Sequence, residues 1–89
     1  EWLILEVAAT ELSDAGYNVL SASDGDTALG LLERGERVDL LFTDVRMPGS
    51  LDGWALARRA RELRPDLPVI YATGFSRVAP ETVDGAVLI

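Results

Sequence analysis

Apolar positions along this chain fall into two patterns that alternate. Short apolar runs closed by turn residues are separated by longer stretches in which apolar residues recur every three or four positions. Between Trp2 and Ala15 the residues Ile4, Val7, Ala8, Leu12 and Ala15 keep a helical period, and Gly16 fits the position just past a helix end. Tyr17 to Ala22, with Val19 and Leu20 inside it, reads as a strand. Asp24 or Ser23 is placed to cap a helix from about Asp26 to Arg34, with Ala28, Leu31 and Leu32 on one face and Gly35 at its end. Leu40 to Phe42 is an apolar run that stops at Asp44. Pro48 and Gly49 follow, so the pattern predicts a strand buried on both faces and then a reversal. Asp52 is placed to cap a helix from Trp54 to Leu63 with an apolar stripe of Leu56, Ala57, Ala60 and Leu63. Arg58, Arg59, Arg61 and Arg64 lie mostly off that stripe, as on a solvated face, and Pro65 ends the helix. Leu67 to Thr73 predicts another buried strand, with Pro68 at its start where proline is tolerated. Arg77 to Gly85 has room for a short helix at most, since Pro80 interrupts it, and Ala86 to Ile89 reads as a last strand.

The order α-β-α-β-α-β-(short α)-β implies a parallel sheet with right-handed crossovers and helices on both faces: a doubly wound, three-layer α/β/α fold. Chemistry in such folds sits at the carboxyl ends of the strands, here after Ala22, after Asp44 and after Thr73.

Composition narrows the functions. Eighty-nine residues make one small domain, residues 1–89, and a net charge of −7 argues against a broad basic surface for nucleic acid or an anionic membrane. The chain has neither cysteine nor histidine, which excludes disulfides, thiolate or imidazole metal ligands, and Ser-His or Cys-His catalysis. No apolar run approaches membrane-spanning length, and a cytoplasmic location is the expectation. The chain starts without Met and stops inside the apolar run Ala86 to Ile89, so residues missing at both ends are expected.

Asp44 and Thr73 each close an apolar run, and successive strands in such sheets are often neighbours. A carboxylate beside a hydroxyl at a sheet edge can accept a phosphoryl group and then hold it, the carboxylate acting as nucleophile. The added negative charge calls for a cation, and Mg²⁺ suits one or two carboxylates plus phosphate oxygens. On these two residues alone, a turn-forming Asp and a strand-end Thr is an equal reading.

The stretch Asp44-Val45-Arg46-Met47-Pro48-Gly49-Ser50-Leu51-Asp52-Gly53 resembles the phosphoacceptor loop of response-regulator receiver domains. Ala15-Gly16-Tyr17 with Val19, Ala22-Ser23-Asp24-Gly25 with Ala28-Leu29, and Ala72-Thr73-Gly74 resemble further segments of the same family, in order and correctly spaced. The resemblance implies a flavodoxin-like fold. It implies that Asp44 takes a phosphoryl group from a phosphohistidine on a histidine kinase or phosphotransfer protein. It also implies that the Arg46 backbone carbonyl helps bind Mg²⁺, that Thr73 bonds the phosphoryl group and drives a conformational switch, and that Gly74 leaves room for it. Such a domain is a switch rather than a conventional enzyme, and direct nucleic-acid or membrane binding is not expected of it.

Departures from the family are equally specific. Its first strand and the acidic pair that holds the metal would precede Glu1, and its Lys-Pro and last helix would follow Ile89. That strand lies, in the family, between the strands that here contain Val19 and Leu41, so a chain without it is expected to leave two unpaired edges and a groove. One extra residue separates Met-Pro from Asp-Gly, and the connection after Thr73 is short; both point toward receivers attached to hybrid sensor kinases. The aromatic switch residue often found in the family's last strand has no counterpart among Val87, Leu88 and Ile89. Two alternatives compete: a haloacid-dehalogenase-like phosphohydrolase, which needs a second Asp where Arg46 stands, and a flavodoxin-like ligand-binding module, for which Ser23 to Gly25 is too short to cradle a flavin phosphate.

Overall fold

The computed structural model describes residues 10–47, 49–72 and 82–88. Residues 10–14 are helical (α1), and Gly16, with φ of +99°, turns the chain out of that helix. Strand β1, Val19–Ala22, follows. Its entry is fixed by a clasp with the segment before β2, Leu40–Asp44. Asp39 Oδ2 accepts from the Asn18 backbone N–H at 2.8 Å and from its side-chain amide at 3.1 Å, while Asp39 N–H donates to Asn18 C=O at 2.7 Å. Those donors, the backbone N–H first, hold the Asp39 carboxyl below its ordinary value.

From that clasp β1 runs parallel to β2, Val19 opposite Leu40 and Ala22 opposite Thr43. Strand β3, Val69–Ala72, pairs with β2 in turn, and β4, Val87–Leu88, pairs with β3. The described sheet is therefore parallel with order β1-β2-β3-β4. The groove expected between the Val19 and Leu41 strands is not there. Two facing rows of open backbone groups are costly, and direct pairing of β1 with β2 satisfies both.

Helix α2, Gly25–Glu33, is capped by Asp24, whose carboxylate accepts from Asp26 N–H at 2.9 Å and Thr27 N–H at 3.4 Å. Its buried face is Ala28, Leu29 and Leu32, so Leu29 takes the core position that the pattern had given to Leu31. Helix α3, Gly53–Leu63, is capped by Asp52, which accepts from Ala55 N–H at 2.9 Å. Leu56, Ala57 and Ala60 are buried as expected, but Leu63 is 47% exposed and Trp54 is buried instead. The Trp54 ring lies against Tyr71, centroids 4.7 Å apart and tilted by 53°. Two of the four arginines also leave the solvated face. Arg61 Nε donates to Leu67 C=O at 2.6 Å, and Arg64 Nη2 donates to Leu32 C=O at 3.3 Å near the end of α2.

Both helices cover one sheet face, where Leu41, Val69 and Tyr71 meet Leu29, Leu32, Trp54, Leu56 and Ala60. Phe42 and Ala72 are buried on the other face, with Val19, Leu40 and Ile70 packed around them.

Candidate functional site

The parallel registers bring the carboxyl ends of β1, β2 and β3 to one edge. Asp44, the last residue of β2, is half-buried there, opposite Ala72, the last residue of β3. Thr73 and Gly74, the expected phosphoryl-binding pair, lie outside the described residues, as do Pro48, Glu1 and Trp2. Thr73 nonetheless follows directly on the residue paired with Asp44.

The backbone around Asp44 is held at successive peptide groups. Its carbonyl accepts from Thr43 Oγ1 at 2.8 Å. The next N–H, of Val45, donates to Ala72 C=O at 3.3 Å, and Val45 C=O accepts from Gly53 N–H at 2.8 Å. Arg46 N–H points back to Asp44 Oδ1 at 3.4 Å, a weak Asx-type turn that leaves the carboxylate facing outward. Helix α3 thus begins against the loop that follows Asp44. A Cβ at Gly53 would overlap the Asp44 carbonyl oxygen and lie 2.8 Å from Val45 Cα, so only glycine lets the helix approach this closely. A similar approach occurs at Gly25, where a Cβ would lie 2.7 Å from both Cβ and O of Leu51. The 49–52 loop therefore rests on the start of α2.

Asp24, also near this edge, is committed to its cap. Among the described residues no three carboxylates gather into a metal-binding group. The expected Mg²⁺ donors, the Asp44 carboxylate and the Arg46 backbone carbonyl, belong to residues two apart where the chain leaves β2, and oxygen donors of these kinds suit a hard cation.

Pattern reasoning missed three residues here. Thr43 was hidden inside an apolar run, yet it is a fully buried polar side chain with a bonded hydroxyl. Tyr71 is an ordinary strand residue in the pattern. It is fully buried, and its Oη accepts from Val83 N–H at 3.2 Å, tying the segment before β4 to β3. Burial is the main cause raising the Tyr71 phenol above its ordinary value. In the pattern Gly53 only closes the loop after Asp44; that it makes room for the Asp44 carbonyl is visible only in the structure.

Residues 1–86 match the family described as "Response regulator receiver domain". The "Response regulator receiver protein CpdR" of Brucella abortus (strain 2308) is 46% identical over 68 residues, 76% of this chain and 55% of that protein. The chain thus spans little more than half the length of this curated relative. A receiver protein structure from Sinorhizobium medicae WSM419 superposes with a TM-score of 0.80 at 33% identity, over 100% of this chain and 73% of that one. The receiver domain of the hybrid histidine kinase CckA gives 0.70 at 36% identity, over 94% and 71%. The parallel sheet with flanking helices is thereby a flavodoxin-like α/β fold shared with these structures.

Proposed function

The chain belongs to the response-regulator receiver domain family, and from that premise we propose that it is the phosphoacceptor of a two-component phosphorelay, with Asp44 as the receiving residue. The observation that carries this reading is the placement of Asp44: an outward carboxylate at the carboxyl end of a buried central strand, in a loop held on both sides by backbone bonds. An Asp44 carboxylate oxygen attacks the phosphorus of a phosphohistidine. The new P–O bond forms as the P–N bond breaks, and the imidazole nitrogen keeps the electron pair and takes up a proton.

The Asp44 carboxylate and Arg46 carbonyl are the described groups that would hold Mg²⁺. The ion, when bound, neutralises charge on the transferring phosphoryl group. Thr73 is assigned the phosphoryl hydrogen bond and the switch, and Gly74 the space beside it. The domain is a switch and not a turnover enzyme. Arg46 stands where a dehalogenase-type phosphohydrolase needs its second carboxylate, which disfavours that alternative. The donor is a histidine kinase or phosphotransfer protein. The likeness to the CckA receiver, together with the extra loop residue, supports a hybrid-kinase setting. No helix among the described residues is long and apolar enough to cross a membrane, and the proposed location is the cytoplasm.

Incubation with a small acyl phosphate and Mg²⁺, read by intact mass, tests this. A gain of one phosphoryl group that disappears in Asp44→Asn is expected; a gain that survives the substitution moves the site elsewhere.

A further inference from the structure

Resting on Asp44 as the acceptor, we infer that Thr43 is a positioning residue for it, acting through the Asp44 carbonyl. Thr43 follows the buried Phe42 in β2 and is itself 1% exposed. Its Cα partner across the sheet is the buried Tyr71. Packing and strand propensity at such a place are met as well by valine, which has the same shape and no hydroxyl to satisfy. The hydroxyl is there for the bond that it makes, 2.8 Å to the Asp44 carbonyl; the nearby Met47 Sδ, at 3.7 Å, is a much weaker partner.

That bond fixes one end of the Asp44–Val45 peptide. Ala72 C=O fixes the other end through Val45 N–H. Gly53, lacking a Cβ, leaves the carbonyl the space it occupies, and its N–H holds the following carbonyl, of Val45. With two successive peptide planes held, the backbone from which the Asp44 carboxylate projects is set before any ligand arrives. Attack in line with the breaking P–N bond depends on that orientation, and a misplacement of about 1 Å is enough to slow such chemistry up to about a hundredfold. Releasing only the Thr43 end is a smaller disturbance.

The test compares Thr43→Val, Thr43→Ser and Asp44→Asn in the polypeptide that carries these residues. Phosphoryl gain from acetyl phosphate with Mg²⁺ is followed by intact mass. Backbone amide signals of Val45 and Arg46 are recorded in metal-free protein, and folding is followed by thermal melting. Thr43→Val is expected to melt cooperatively, to shift both amide signals and to accept the phosphoryl group about tenfold more slowly. Thr43→Ser, which keeps the hydroxyl, is expected to restore signals and rate. A valine variant labelled as fast as the parent, a serine variant as slow as valine, or a valine variant that no longer folds overturns the positioning role while leaving Asp44 as the acceptor. A parent that gains nothing, or a gain that survives Asp44→Asn, overturns the acceptor reading and the positioning role with it.

Discussion

Asp44 contributes two different groups to this structure. Its side chain faces out from the sheet edge, and its carbonyl is locked inward by Thr43 and by the close approach of Gly53. The separation sets what substitutions will do. Asp44→Asn keeps the backbone lock and exchanges only a half-exposed carboxylate. Phosphoryl gain should vanish while stability, read by chemical denaturation, changes by no more than about 0.5 kcal/mol. Tyr71 lies at the same scale on the buried side. Tyr71→Phe removes the acceptor for Val83 N–H and should cost about 1 kcal/mol. Because the folded phenol titrates above its unfolded value, its contribution is complete below the ordinary tyrosine value of 10.0 and is lost as pH rises through the folded value. The parent should therefore lose stability at alkaline pH, and the Phe variant should lack that decline. Equal alkaline loss in both proteins would place the titrating group elsewhere. Asp44 was legible in the sequence because a carboxylate at the end of an apolar run is anomalous. Thr43 was not, because a β-branched residue inside a strand looks ordinary until its burial and partner are known.

The elements were written in the chain with small displacements. Asp24 and Asp52 announced both helix starts, and each carboxylate accepts a first-turn N–H. Replacing Asp52 with Ala should cost about 1 kcal/mol in thermal or denaturant unfolding, with unchanged far-ultraviolet circular dichroism. A larger loss with lost helicity would mean that this cap also holds the acceptor loop. What the pattern misplaced lies at the helix flanks. Leu29 displaced Leu31, Trp54 displaced Leu63, and the part-buried Arg61 and Arg64 bond carbonyls of Leu67 and Leu32. Periodicity gives a face to within one residue; which residue fills it depends on how α2 and α3 meet over the sheet, which no single helix records.

For the whole molecule, the parallel α/β character followed from the alternation of periods, but the adjacency of β1 and β2 did not. The order was carried over from the family, whose first strand separates the two. In the described residues the Asp39–Asn18 clasp sets them in direct register. The clasp has a pH signature. The folded Asp39 carboxyl lies below its ordinary 3.8, so its contribution is present above that value and is lost as pH falls through the lowered folded value. Asp39→Asn should flatten this acid limb of the stability curve, and hydrogen exchange at β1 amides should then quicken at neutral pH. Unchanged β1 protection would show that the register is held by other contacts.

We place the incoming phosphoryl group on Asp44, at this edge of the sheet. Borohydride reduction of the protein after exposure to an acyl phosphate and Mg²⁺, followed by peptide mass mapping, tests it most directly. Reduction of an aspartyl phosphate leaves homoserine, and homoserine at position 44 and nowhere else is the result predicted. An intact Asp44 in protein that has gained a phosphoryl group, or homoserine at another aspartate, would contradict it.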